Sequence, residues 1–370
     1  MLLIAHIILF IYLIYFIWII EPFFKKKEKK KIKGTFPFVS IIVSAKNETK
    51  NITNLLNGLL MQKYPKNSYE IIIANDKSTD STLNKLKDFK KIYKQIKIID
   101  IQKTPQDWGS KKWALNQSIE SSNGDIILQT DADCFHQKNW IIKMVEPFAN
   151  QNVGFVCGPS YIGFDPTFWN EILKLESVAQ ESFTYANSKR KFYLSCTARN
   201  IAFRKKIFNE IEGYKDIEHI ESGDDDLLLH KVVIQTDTKI SYIANEESLV
   251  SSKAPDTMKD LYLQRLRYAS KGLLYYKINT PNEVRIILPF LFISNFMCIV
   301  SIINFISYHN VIWLVPLLMK GLSDIILINQ YMYKIRMHFK LLYFIILMII
   351  HPFYVVIIGG LAPIIKVQWK

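Results

Sequence analysis

The sequence predicts an α/β domain with a mostly parallel sheet, joined to membrane-spanning helices at both ends. Between residues 37 and 131, short apolar runs alternate with segments of helical periodicity, which is typical of successive βαβ units. Apolar stretches long enough to cross a bilayer lie near both termini. The 370 residues suffice for one large domain and several spans.

The first apolar stretch covers the N-terminal twenty residues, which contain no charged side chain apart from His6. A cleaved signal peptide is the alternative. However, the stretch lacks a basic start, and Glu21, Pro22 and a lysine-rich segment follow it in place of a small-residue cleavage site. We therefore expect an uncleaved span over residues 1–21 and a basic linker over residues 22–36.

The lysine-rich segment, residues 25–33, contributes part of the net charge of +14. After a span, such a segment indicates the cytoplasmic side and attraction to anionic lipids; a solvated linker is the alternative. Nucleic-acid binding is not expected, because no aromatic residues are interleaved with the lysines. The four cysteines show no zinc-type spacing and require no oxidising compartment.

The α/β domain is predicted over residues 37–255. Strands are predicted over residues 37–45, 69–75, 96–101 and 125–131, followed by extended segments over 155–159 and 192–203. Helices are predicted over residues 52–61, 79–89, 111–121, 167–187 and 224–235. Continuous apolar runs such as residues 70–74 are typical of strands buried on both faces.

Polar side chains follow three of the predicted strands: Asn47 and Glu48, then Asn75 and Asp76, then the Asp131–Asp133 segment. Ligands of parallel sheets lie at the carboxyl ends of the strands. The sequence therefore predicts that these side chains share one binding edge.

Asp131 and Asp133 have the spacing of a divalent-cation site. Residues i and i+2 of an extended chain point to the same side, and Mg²⁺ or Mn²⁺ prefers oxygen ligands of this kind. Alone, such a pair is more often part of a surface loop. Its position at the end of a buried strand favours the metal.

Three successive aspartates, Asp224, Asp225 and Asp226, precede an apolar helix. Capping of that helix explains one of them. Three adjacent carboxylates repel one another, so a site for a general base or a metal is at least as good an explanation.

Lys111 and Lys112 stand at a predicted helix start, where an anion site or a solvated basic turn is expected. Farther along, residues 256–280 predict an amphipathic helix at the membrane interface. On it, Gln264, Arg267 and Tyr268 share a face, and arginine suits contact with phosphate.

Residues 281–370 predict three further spans, over residues 286–308, 311–332 and 341–365. The basic loop 333–340 and the basic linker 22–36 are placed on the cytoplasmic side by the positive-inside rule. The α/β domain is then cytoplasmic. Lys320 and Asp324, inside the second of these spans, are expected to neutralise each other.

Seven segments in order resemble family 2 glycosyltransferases, which have the GT-A fold, and in particular their membrane-bound branch of polysaccharide synthases and lipid-linked sugar transferases. The resemblance runs from about residue 40 to residue 272. The segments are SIIVSAKNE (40–48), IIIANDKSTDST (71–82), SKKWALN (110–116), GDIILQTDADC (124–134), TARNIAFRKKIF (197–208), SGDDDLLL (222–229) and QRLRY (264–268).

The resemblance implies roles for individual residues. Asp76 would bind the nucleotide base, Asp131 the donor and Asp133 the metal, with Glu48 and Lys111 also on the donor side. Asp225 matches the general base, with Asp226 as the alternative if the frame slips. The remaining matches are Gln264, Arg267 and Tyr268 at the donor diphosphate, and Arg199, Asn200 and Asp224 on the acceptor side.

The resemblance implies an inverting transfer of a sugar from a UDP- or GDP-linked donor to a lipid or glycan acceptor at the cytoplasmic membrane face. A base-activated acceptor hydroxyl would attack in a single displacement. One alternative is a processive polysaccharide synthase, for which four spans provide little material for a pore. The other is a non-catalytic membrane scaffold that kept the fold. The sequence identifies no protein partner.

Overall fold

The computed structural model describes residues 2–24 and 36–365. The predicted basic linker falls mostly on residues 25–35, which lie outside the described residues. The chain divides into two compact units. A sheet unit comprises Lys29–Phe164 and Ser195–Lys253, and a helical unit comprises Met1–Glu28, Asp165–Leu194 and Ala254–Lys370.

All strands of the described residues belong to the sheet unit. They are β1 (Val39–Ala45), β2 (Tyr69–Asp76), β3 (Ile96–Ile101), β4 (Ile126–Asp131), β5 (Cys134–His136), β6 (Val153–Cys157), β7 (Ser160–Ile162), β8 (Ile201–Arg204), β9 (Lys239–Tyr242) and β10 (Val250–Ser252). Seven form one sheet in the order β3-β2-β1-β4-β8-β6-β9, and β5-β10-β7 form a second. In the large sheet only β8 runs antiparallel to its neighbours.

The α-helices of the described residues are divided between the units. Those of the sheet unit are α2 (Ile52–Leu60), α3 (Thr82–Ile92), α4 (Ser110–Glu120), α5 (Trp140–Val145), α7 (Lys205–Glu210) and α8 (Asp226–Gln235). Those of the helical unit are α1 (Leu2–Ile20), α6 (Phe168–Ser188), α9 (Met258–Leu274), α10 (Asn282–Tyr308), α11 (Val315–Lys334) and α12 (Leu341–Leu361).

The predicted α/β architecture with a mostly parallel sheet is confirmed. β1 and β2 are interior strands of the sheet, and their isoleucines are fully buried on both faces. The extended segment predicted over 192–203 becomes a strand only at its end, in Ile201–Arg204. Ahead of it, Ala198–Asn200 makes a helical turn whose Ala198 amide is bound by the carboxylate of Asp225.

The helical unit contains four helices that are long and apolar enough to cross a membrane, among the residues described. They cover Leu2–Phe23, Asn282–Tyr308, Val311–Lys334 and Leu341–Leu361, as the sequence predicts. The expected neutralisation is present within α11, where Lys320 Nζ lies 2.6 Å from Asp324 Oδ2. The hydroxyl of Tyr12 on α1 donates to the other oxygen of Asp324.

Residues 165–194 belong to the helical unit, although they fall within the segment 37–255 for which the sequence predicts one domain. The extent of that domain stays a prediction.

Replacing Ile71 by alanine should lower the free energy of unfolding by about 2–5 kcal/mol, because the side chain is fully buried in the main core cluster and a cavity would remain. The matched control is Ile92→Ala at the exposed end of α3 (72% exposed), expected within about 0.5 kcal/mol of wild type. Thermal unfolding of the full-length protein in detergent measures both. Equal shifts for the two variants would contradict the assigned core.

Candidate active site

The strand register brings the predicted polar residues to one edge of the large sheet. β1 lies between β2 and β4, parallel to both. Ala45 pairs with Asn75, and Ser44 pairs with Asp131. The three strands therefore end at the same level. Asp76, the last residue of β2, and the loops that carry Glu48 and Asp133 lie at this common edge.

The loops after β1 and β2 are hydrogen-bonded to each other. Asn47, whose φ of +58° is in the left-handed region tolerated by asparagine, accepts the amide of Thr79 and gives its own amide to Ser78. The amide of Glu48 binds Thr82 Oγ1 at 2.8 Å. These hydrogen bonds between the two loops fix the position of Glu48.

Asp76 is 3% exposed at the end of β2. Ser110 Oγ, in the first turn of α4, donates to its carboxylate at 2.7 and 2.9 Å from the two oxygens. Lys77 Nζ lies 3.2 Å from Asp76 Oδ1 and also donates to Ser110. The carboxylate is thus held in one orientation at the binding edge.

Lys111 joins two acids that are far apart in sequence. Its ammonium lies 2.9 Å from Asp131 Oδ1 and 3.0 Å from Asp224 Oδ2. Gln129 Nε2 also donates to Asp224 Oδ2, at 3.0 Å. Burial alone would lower the pKa of Lys111, but the two carboxylates outweigh it and raise the pKa well above its usual value. Lys111 therefore stays charged and holds Asp131 beside Asp224, the first of the three successive aspartates.

Lys112 has a different role from its neighbour. Its side chain is fully buried, and its ammonium donates to the carbonyls of Ile217, Ile220 and Ser222 at 2.6–2.9 Å. These carbonyls belong to the segment that leads into the three aspartates. The sequence treats the two lysines alike, as an anion site or a solvated basic turn, whereas the structure gives them different partners.

The three aspartates are held in different environments. Gly223 has a φ of +82°, and a Cβ there would meet Leu227 at 2.5 Å, so the turn into the run requires glycine. Asp225 caps α8: its Oδ1 accepts the amide of Asp226 at 2.7 Å, and its Oδ2 accepts the amide of Ala198 at 2.9 Å. Asp226 is 1% exposed and binds the amide of Leu227.

Negative charge accumulates beside the Asp131–Asp133 segment. Burial, followed by the charge of Asp131, raises the pKa of Asp133 to about 6, against the lowering effects of Arg199 and Lys111. Burial also raises the pKa of Glu48 to about 7, against its hydrogen bond from Asn51, and Asp133 and Asp131 add to the rise. A bound cation would relieve this repulsion.

The residues present fit a divalent cation that receives part of its coordination from a ligand. No group of three or more metal-type side chains is found in the described ranges 2–24 and 36–365. Mg²⁺ commonly binds one or two carboxylates and completes its shell with phosphate oxygens and water. Asp133 suits that arrangement, because Asp131 is close enough to raise its pKa and Asp133 in turn raises the pKa of Glu48.

Arg199 and Asn200 occupy the turn before β8. Asn200 is fully buried, and its amide group binds the indole of Trp140 and the carbonyls of Pro159 and Ser248. Its influence on an acceptor would therefore pass through the loop that it fixes. Arg199 lies near enough to Asp133 to lower its pKa, and its carbonyl accepts from Thr130 at 2.8 Å.

Gln264, Arg267 and Tyr268 lie on α9 in the helical unit. Tyr268 is 44% exposed. The structure also draws attention to Arg265, which the sequence motifs do not single out. Arg265 is buried in the same helix and forms an ion pair with Glu176 of α6. Nothing in the sequence spacing connects residues 176 and 265.

The fold is that of GT-A enzymes. It superposes on a mannosyltransferase from Pyrobaculum calidifontis, solved in complex with GDP-Man and Mn²⁺, with a TM-score of 0.61 and 14% identity over 98% of this chain and 97% of that one. At this identity the likeness shows the fold alone.

Residues 40–212 match the family model described as "Glycosyl transferase family 2". This segment is just under half of the chain, and over it the sequence is similar to glycosyltransferase family 2, as the motif order predicts.

Two curated relatives illustrate the range of similarity. A beta-monoglucosyldiacylglycerol synthase of Nostoc sp. is 38% identical over 35% of this chain and 27% of its own length. A dolichyl N-acetyl-alpha-D-glucosaminyl phosphate 3-beta-D-2,3-diacetamido-2,3-dideoxy-beta-D-glucuronosyltransferase of Methanococcus voltae is 27% identical over 65% of this chain and 74% of its own length. The match thus spans about a quarter of the Nostoc relative.

Binding of Mn²⁺ should tighten as the pH rises from 5.5 to 7.5, because the cation competes with the proton on Asp133, whose pKa is about 6. Ionisation of Asp133 alone predicts about a fourfold gain. Calorimetric titration of the full-length protein with Mn²⁺ at both pH values measures it. In the Asp133→Asn variant the gain should be smaller than in the wild type, with only the part due to Glu48 remaining, and a gain of the same size there would refute Asp133 as the metal ligand.

Proposed function

We propose that the protein transfers a sugar from a UDP- or GDP-linked donor to a lipid or glycan acceptor at the membrane, with inversion at the anomeric carbon. The observation that supports it best is the acid-lined edge of the sheet, where Lys111 joins Asp131 to Asp224. Lys111 and Asp131 lie within the segment that matches the family 2 model. The relatives bear the names of lipid- and glycan-modifying enzymes.

Donor binding is assigned to the edge formed by β1, β2 and β4. Asp76, oriented by Ser110, is the acceptor of hydrogen bonds from the nucleotide base. Asp131 and Glu48 are assigned to the donor, and Asp133 to Mg²⁺ or Mn²⁺. When bound, the cation stabilises the charge that develops on the departing diphosphate. Lys111 adds a fixed positive charge on the same side.

Proton removal from the acceptor hydroxyl is assigned to Asp225. The amides of Ala198 and Asp226 hold its carboxylate in place, which favours a defined direction of approach. Asp224 is the second candidate, because its carboxylate is the one that shares Lys111 with Asp131. Arg199 is assigned to the acceptor side.

The diphosphate is further assigned to Gln264, Arg267 and Tyr268 of α9, by their match to the family motif. Arginine binds phosphate oxygens in pairs, and the tyrosine ring offers an aromatic face to the acceptor. Four apolar helices support membrane association, and the basic loop 333–340 supports a cytoplasmic orientation of the sheet unit.

A donor screen tests the proposal. Full-length protein in detergent with Mn²⁺ should be stabilised against heat by one class of donor, UDP- or GDP-linked, because a ligand that binds the folded state shifts unfolding. A radiolabelled donor of that class, given with membrane lipids, should yield a product carrying a single added sugar. A long polymer would indicate a processive synthase, and binding without transfer would indicate a scaffold.

Asp225→Asn should lower kcat about 10²–10⁴-fold, since proton removal contributes that much to catalysis, while the Kd of the nucleoside diphosphate stays within about twofold. Asp224→Asn is the matched comparison, because it changes the neighbouring acid of the same run. Steady-state transfer and calorimetry measure both variants. If Asp224→Asn abolishes turnover and Asp225→Asn does not, the base is Asp224.

A further inference from the structure

The helical unit contains a buried ion pair between α6 and α9. Arg265 Nη2 lies 2.6 Å from Glu176 Oε2, and the two side chains are 3% and 8% exposed. Tyr354 of α12 adds a side-chain hydrogen bond to Glu176. Three helices from distant parts of the chain therefore meet at one carboxylate.

Stability is a weak explanation for this pair. Taking two charges out of water costs several kcal/mol per ion, and apolar replacements of similar volume are often neutral or stabilising. What a buried charged pair adds is direction, because its hydrogen bonds work only over a narrow range of distance and angle. Leu266, the next residue, packs against Ile358 and Ala362, but apolar contacts are not directional.

The direction matters because Arg265 lies within the segment assigned to the donor diphosphate. It directly follows Gln264 and precedes Arg267 by two residues, and its guanidinium carbon lies 5.7 Å from the centre of the Tyr268 ring. Side chains project from a helix at fixed angular steps. Once the direction in which Arg265 projects from the helix axis is fixed, the directions of Gln264, Arg267 and Tyr268 are fixed as well.

We propose that Arg265 is a positioning residue, whose ion pair with Glu176 sets the rotation of α9 that presents Gln264, Arg267 and Tyr268 to the diphosphate. The inference rests on the proposed function of that segment. It predicts an effect on phosphate binding without loss of the fold.

The test is the double variant Glu176→Gln/Arg265→Met, which removes both charges and keeps the side-chain volume. Its matched control is Glu171→Gln/Lys174→Met, which removes an ion pair within α6 (2.5 Å). UDP, GDP and the corresponding nucleosides serve as probes, with Mn²⁺ and full-length protein. The double variant should bind the preferred diphosphate roughly tenfold more weakly, with unchanged nucleoside affinity and unfolding temperature. The control should match wild type.

Arg267→Ala separates the inference from the proposed function. If Arg267→Ala weakens diphosphate binding and the double variant does not, the positioning role is overturned and the function of the segment stands. Loss of nucleoside binding and of thermal stability in the double variant would mean a general structural role, which also overturns it. If Arg267→Ala binds the diphosphate like wild type, the assigned phosphate contact is wrong, and the inference fails with it.

Discussion

The ammonium of Lys111, held between Asp131 and Asp224, is the interaction on which the site depends. The acids that gather at this edge of the sheet include Glu48, Asp131, Asp133 and Asp224, and without a positive charge their repulsion would drive the loops apart or drive protons onto them. Lys111 supplies that charge in a partly buried place, where it acts more strongly than in water. It also ties the end of β4 to the turn before α8, two segments separated by about ninety residues.

The same helix start organises the rest of the edge. Ser110, Lys111 and Lys112 follow one another in the first turn of α4 and reach Asp76, the Asp131–Asp224 pair and the carbonyls of residues 217–222, respectively. One helical turn therefore makes polar contacts with three separate parts of the chain. This arrangement suits a site in which a base, a sugar and a diphosphate must be held together, because a small displacement of reacting groups costs much of the rate.

The central strands were predictable from sequence because β1, β2 and β4 are buried on both faces and read as continuous apolar runs. Their common polar edge followed from the topology rule for parallel sheets. The different partners of Lys111 and Lys112 were not predictable, since both residues lie at the same helix start. Only the tertiary fold decides which ammonium binds carboxylates and which binds backbone carbonyls. The turn at Ala198–Asn200 and the pair of Arg265 with Glu176 likewise depend on partners far along the chain.

The path of the chain between the two units has a consequence for how the protein can be made and divided. The sheet unit is assembled from two stretches, and α6, which belongs to the helical unit, is inserted between them. During synthesis β8, α8 and β9 emerge only after α6. Trimming the termini therefore cannot release the sheet unit as a separate soluble domain. Isolation of the sheet unit would also require deleting residues 165–194 and joining the two ends. Neither unit is therefore a continuous segment that a single recombination event could exchange.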